Sequence, residues 1–118
     1  MIRAVSEWII RKRDGRTVPF EPSLIGRAIS NAFRAEQNLA ANQPLDEDLE
    51  QEVASITHQV IEEASSDAAS DRGVGVEHIQ DLVEMQMMKR GHYRVARRYI
   101  VYRAEHAKIR SLLHPETI

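Results

Sequence analysis

The 118-residue sequence contains no cysteine. That absence excludes a disulfide framework, a thiolate zinc or iron–sulfur site, and any thiol chemistry performed by this chain alone. Aromatic residues are scarce, being Trp8, Phe20, Phe33, Tyr93, Tyr99 and Tyr102 and no others. A core must therefore rest on aliphatic side chains and methionine, which suits helix packing better than a β-sandwich. Five glycines and four prolines leave no linker-like stretch, and there is no repeat or low-complexity tract. One domain over residues 1–118, with its core at about 7–110, is expected. Uncharged apolar runs are only a few residues long and no signal-peptide pattern opens the chain, so it is expected to be soluble and cytoplasmic, with no membrane partner.

Opposite charges nearly cancel over the whole chain, at −2, but not along it. Residues 1–35 carry a net +4, residues 36–84 a net −12 and residues 85–118 a net +6. If the two basic ends meet in space, the fold has a cationic face and an acidic one, and the cationic face attracts a small polyanion despite the overall sign.

Asp14-Gly15 lies between two short extended runs and predicts a tight hairpin with a primed turn. Its strands would be Glu7–Arg13 and Arg16–Phe20, with Pro19 marking the second as an edge. Glu21-Pro22 opens a helix whose stripe is Ile25, Ala28, Ile29, Ala32 and Phe33, ending near Glu36 to Asn38. Leu45, Leu49, Val53, Ile56, Val60 and Ala64 recur at helical spacing behind Asp46-Glu47-Asp48, predicting a helix to about Ser65 and then a polar loop to Gly75. Val74 to Val76 reads as a third short strand or an extended entry. A third helix follows, with Ile79, Leu82, Val83 and Met87 on one face and Gly91 as its stop. The fourth runs from about Tyr93 to Leu112 with Val95, Ala96, Tyr99 and Ile100 inward, and His114-Pro115 ends it. Four amphipathic helices with short loops pack as a bundle, with the hairpin across one end or side.

Two clusters could carry chemistry. Arg11, Lys12, Arg13 and Arg16 surround the turn, where Lys and Arg donors beside backbone N–H groups suit phosphate oxygens. The alternative is an edge strand guarded by charge against aggregation. Arg94, Arg97, Arg98, Arg103 and Lys108 lie on the last helix, Arg94 and Arg98 sharing a face. Their alternative is a solvated face or a partner for the acidic second helix. The histidines have no metal-ligand spacing, the carboxylates of 46–52 are helix-start charges, and no phosphate loop or hydrolase elbow occurs, so no catalytic or metal residue is expected.

Taken in order, Lys12-Arg13-Asp14-Gly15-Arg16, Val18-Pro19-Phe20-Glu21 and Ile25 with Ala28-Ile29 and Ala32, then Val76 to Glu84 and Gly91 to Arg103, closely resemble the ATP-cone domain. ATP-cones are regulatory modules found mostly at the N-terminus of ribonucleotide reductase catalytic subunits, and also in a zinc-ribbon repressor of reductase genes. The resemblance implies an α+β, mainly α fold, a four-helix bundle capped by a small three-stranded sheet, with a nucleotide between hairpin and helices. It further implies that Ile10 contacts the adenine, Lys12 and Arg13 the phosphates and Glu21 the sugar region; Arg97, Arg98 or Arg103 of the last helix would supply replacement charge where Leu24 lacks it, Arg97 and Arg103 being taken as the candidates. The implied effectors are ATP and dATP with Mg. The implied partners are the rest of a reductase catalytic subunit, other reductase subunits or a homo-oligomer, associating as the nucleotide dictates. The chain would regulate deoxyribonucleotide synthesis without being an enzyme itself. Leu24 stands where the family often has Lys, and Val76 where Thr is frequent. These departures carry the alternative expectation of a degenerate cone acting as a nucleotide-independent oligomerisation module. Nucleic-acid binding ranks last, since the net charge is negative and no recognition helix is evident.

Overall fold

The computed structural model describes residues 8–68 and 73–113, with side chains over 8–65 and 73–108. In order the elements are β1 (Ile9–Arg11), β2 (Thr17–Pro19), α1 (Pro22–Glu36), α2 (Glu47–Ala68), β3 (Val74–Gly75), α3 (Val76–Lys89) and α4 (Tyr93–Leu113). The helical stripes read from the sequence face one another. Ile29, Ile56, Val60 and Met87 have no solvent exposure, and burial of each such side chain contributes about 1.5–3 kcal/mol. Each of α1 and α3 packs against both α2 and α4. Among the described residues no helix is long and apolar enough to cross a membrane.

β1 is the centre of the sheet, ordered β2-β1-β3. It pairs antiparallel with β2, Ile10 opposite Val18, and parallel with β3, Ile10 opposite Val74 and Arg11 opposite Gly75. Parallel neighbours need a long crossover, here supplied by β2, α1 and α2. Trp8 stacks on Phe20 with ring centroids 5.2 Å apart, which seals the sheet against the bundle. Gly73, at φ +74, enters β3 so closely to β1 that an added Cβ would lie 2.6 Å from the Ile9 carbonyl oxygen. Only glycine meets both demands.

The hairpin turn differs from the expected primed type. The Lys12 N–H donates to the Arg16 carbonyl at 2.7 Å and the Gly15 N–H to the Lys12 carbonyl at 3.0 Å. Gly15 has φ +90 while Asp14 stays at negative φ, so the loop has three residues closed by a left-handed glycine. Asp14 is free to serve Arg16 instead, accepting from its backbone N–H at 3.0 Å and its Nε at 2.6 Å. The first of these bonds is the largest cause of its lowered pKa.

Helix ends follow local chemistry. α1 and α3 both finish in Schellman geometry. In α1, Asn38 takes φ 57 and the Leu39 N–H reaches the Arg34 carbonyl at 2.9 Å. In α3, Gly91 takes φ 83 and the His92 N–H reaches the Met87 carbonyl at 2.8 Å. Asp46 caps α2 through the Leu49 N–H at 2.9 Å. α2 continues past the expected stop at Ser65 to Ala68, since no glycine or proline interrupts it there. Ile100, expected inward, is 40% exposed, because α4 packs mainly on α1 and α3 and its buried stripe is narrow. The remainder of the predicted polar loop, 69–72, and the His114-Pro115 stop lie outside the described residues.

The α3–α4 turn is pinned to α2 by Glu52, whose carboxylate accepts from Arg90 Nη1 at 2.6 Å and meets His92 Nε2 at 2.8 Å. The His92 ring also stands edge-on to Phe33, centroids 5.1 Å apart. The His92 bond foremost, then Arg90, holds the Glu52 carboxyl below its ordinary value of 4.5. Because the folded-state pKa is depressed, this stabilisation is present above pH 4.5 and is lost as pH falls through the lower folded value. Glu52→Gln is expected to lower neutral-pH stability by about 1–2 kcal/mol and to flatten the acid limb, as read by urea melts from pH 7 to 3. Gly73→Ala is expected to cost about 2 kcal/mol or more in the same assay.

Candidate functional site

α3 starts where β3 ends, so the β1–β3 pairing sets the hairpin turn beside the first turns of α3. Arg13 reaches across from the turn, Nε donating to Glu77 Oε1 at 2.7 Å and Nη2 to Gln80 Oε1 at 3.1 Å. One turn further along, Arg103 of α4 donates through Nη1 to Asp81 Oδ1 at 3.0 Å and Glu84 Oε1 at 2.5 Å. Glu77, Asp81 and Glu84 form a single stripe at helical spacing. Cations from opposite ends of the chain thus converge on one acidic edge of α3. Burial opposes the Arg103 charge, but its bonds to Glu84 and Asp81 outweigh that and hold its pKa above the ordinary arginine value. Nearby, burial pushes the Tyr99 hydroxyl up to about 12.

Lys12 is exposed, and its side chain has no partner among the described residues. Gly75 is the N-cap of α3 and provides no side-chain cap. The guanidinium of Arg11 lies over it, so that an added Cβ at Gly75 would come within 3.2 Å of Arg11 Nη2. Glu21 is the N-cap of α1; its side chain makes no cap bond and is exposed. A concavity of about 670 Å³ runs between α1 and α4, away from the hairpin, past Asn31, Glu36, Arg97, Val101, Tyr102 and Glu105. Here Arg98 Nε donates to Glu36 at 3.2 Å and Arg94 stands 3.9 Å from it.

Residues 9–108 match the family model of the ATP cone domain. The chain belongs to the ATP-cone family. It is 45% identical over 96 residues to a ribonucleoside-diphosphate reductase subunit alpha of Chlamydia pneumoniae, covering 81% of this chain and 9% of that protein. Against the subunit alpha of Chlamydia trachomatis the identity is 46% over 94 residues, covering 80% of this chain and 9% of the relative. A vitamin B12-dependent ribonucleoside-diphosphate reductase of Mycobacterium tuberculosis is 37% identical over 103 residues, 86% of this chain and 13% of the relative. The cone therefore spans only a small part of the length of these curated relatives.

Within the cone, the structure sets Lys12, Arg13 and Arg103 along the hairpin–α3 edge. Ile10 is 9% exposed beneath the sheet, packed in the core with Val74, and Glu21 stands where the hairpin hands over to α1. Arg97 is not with them: it lines the α1–α4 concavity, on a different side of α4 from Arg103. Of the alternatives for the α4 arginines, pairing with the acidic second helix is not what the described residues show. Arg94 and Arg98 pair with Glu36 of α1 and Arg103 with α3, while α2 is met by Arg90, just before α4. Helical spacing assigns α2 and α4 no common face, because they lie diagonally across the bundle. Sequence reasoning also missed Glu77 and Gln80 as partners of Arg13. The only signal was the recurrence of carboxylates at 77, 81 and 84, which reads equally as helix-start charge.

The two helical arginines should behave differently on truncation. Arg103→Ala leaves Glu84, whose side chain is 19% exposed, without its cation and should cost about 1–3 kcal/mol. Arg97→Ala, with no ion pair among the described residues, should stay within about 0.5 kcal/mol of the parent in chemical denaturation.

Proposed function

We propose that this cone is a regulatory module that binds ATP and dATP and controls the overall activity of a ribonucleotide reductase. It acts in the cytoplasm through nucleotide-dependent subunit association and performs no chemistry of its own. The observation that carries this reading is the exposed Lys12, which has no side-chain partner among the described residues, on a turn held beside the start of α3, whose N-cap has no side-chain cap. An ammonium group, a guanidinium fork and helix-start N–H groups are the donors that polyphosphate oxygens use. Lys12 and Arg13 take the phosphates, Glu21 the sugar and Ile10 the edge of the adenine. Arg103 contributes positive charge one turn along α3, and Arg97 contributes only at a distance. Mg accompanies the polyphosphate through phosphate oxygens and water.

ATP and dATP differ by one hydroxyl, and either ligand shifts an assembly only by its unequal affinity for the two states. The uncapped Glu21 carboxylate is suited to accept from that hydroxyl. The partners are the remainder of a reductase catalytic subunit, other reductase subunits or a second copy of the cone. A second reading, a nucleotide-independent association module, is favoured by one observation: Leu24, 51% exposed, puts no cation beside the hairpin.

Calorimetric titration with ATP and dATP decides between them. Binding should be detectable in the parent and abolished by the Lys12→Ala, Arg13→Ala pair, with far-UV circular dichroism unchanged. Absence of heat and of any thermal shift at millimolar nucleotide removes the first reading. Sedimentation that shows association indifferent to nucleotide then supports the second.

A further inference from the structure

Arg13 is assigned to phosphate, yet the fold has already filled its guanidinium. Nε and Nη2 form the side of the fork that takes an oxyanion bidentately, and here that side is held by Glu77 at 2.7 Å and Gln80 at 3.1 Å, across 64 and 67 residues of chain. The pair is open to water, with side chains 33% and 61% exposed. The neighbouring Arg103–Glu84 pair is far more enclosed, at 18% and 19%. Exposed pairs are weak and exchange readily, whereas shielded ones, once formed, are costly to break. Of the two arginines on the α3 edge, Arg13 is thus the one that can change partner. A polyphosphate at the turn would also set several negative charges beside the Glu77 carboxylate, which repels them.

We infer that Glu77 is a built-in competitor for the anion site. Its carboxylate occupies Arg13 and latches the turn to α3. An arriving polyphosphate takes over the Nε–Nη2 side and displaces it, so that Glu77 sets both the affinity for the nucleotide and the position of the hairpin. The inference rests on the nucleotide-binding reading above. Gln80 is neutral and its amide can turn, so it follows Arg13 in either state without opposing the ligand.

The test is calorimetric titration of the full chain with ATP, dATP and inorganic tripolyphosphate, in the parent, in Glu77→Gln and in Glu77→Gln with Arg13→Ala. Glu50→Gln, on the exposed side of α2, is the control for net charge. Glu77→Gln should tighten all three ligands about three- to tenfold at low salt, with the gain shrinking as ionic strength rises. The gain should vanish without Arg13, and Glu50→Gln should change affinity less than about twofold. Hydrogen exchange at the Lys12 and Gly15 amides should quicken in ligand-free Glu77→Gln, a readout that needs no nucleotide. Nucleotide binding by Glu77→Gln alone, the parent giving none, also supports the latch. If the parent binds and Glu77→Gln binds equally or more weakly, or if the gain persists without Arg13, the latch is overturned while the nucleotide reading stands. If neither protein binds nucleotide, that reading falls and the latch falls with it.

Discussion

Two residues of parallel pairing, Ile10 with Val74 and Arg11 with Gly75, hold the two halves of this molecule in register. Without them the β1–β2 hairpin would be an isolated two-stranded ribbon, which is marginal in water. With them the turn is carried to the start of α3, and Arg13 can bond to residues 64 and 67 positions away. The pairing in turn requires Gly73, because β3 enters against the Ile9 backbone at a distance that no side chain tolerates. The geometry of the candidate site therefore hangs on a strand two residues long and the glycine before it.

The electrostatics of the cone follow from the same arrangement. The acidic middle of the chain is divided between two surfaces. α2 turns Glu47, Asp48, Glu50 and Glu62 to solvent and spends Glu52 on the α3–α4 turn. α3 lines up Glu77, Asp81 and Glu84 against cations from both basic ends. What looks along the chain like a pair of unopposed positive ends becomes, in three dimensions, a set of cross-braces between elements. Lys12, exposed on the hairpin, takes no part in these braces among the described residues.

Much of the architecture was legible in the sequence because it rests on local physics. The stripes Ile25, Ile29, Ala32, Phe33 and Ile79, Leu82, Val83, Met87 bury the residues that their spacing selects, and Asp46 and Gly91 cap where short-range hydrogen bonding requires. The hairpin was visible in Asp14-Gly15, but its turn type was not. Whether Asp14 takes positive φ depends on where its carboxylate goes, and here it goes to Arg16. Ile100 misled for a related reason: its spacing fits an inward stripe, yet which arc of a helix is inward depends on how many neighbours it has.

The sequence by itself determined the helices, their caps, the edge character of the Pro19 strand and, through the order of its motifs, membership of the ATP-cone family. These depend on interactions a few residues long, or on a pattern that needs no coordinates. Only the tertiary structure decided which charges meet. Ion pairs between residues such as Arg13 and Glu77, or Arg103 and Asp81, carry no periodicity and no local signature. They exist because strand pairing and helix packing bring distant side chains within hydrogen-bonding reach.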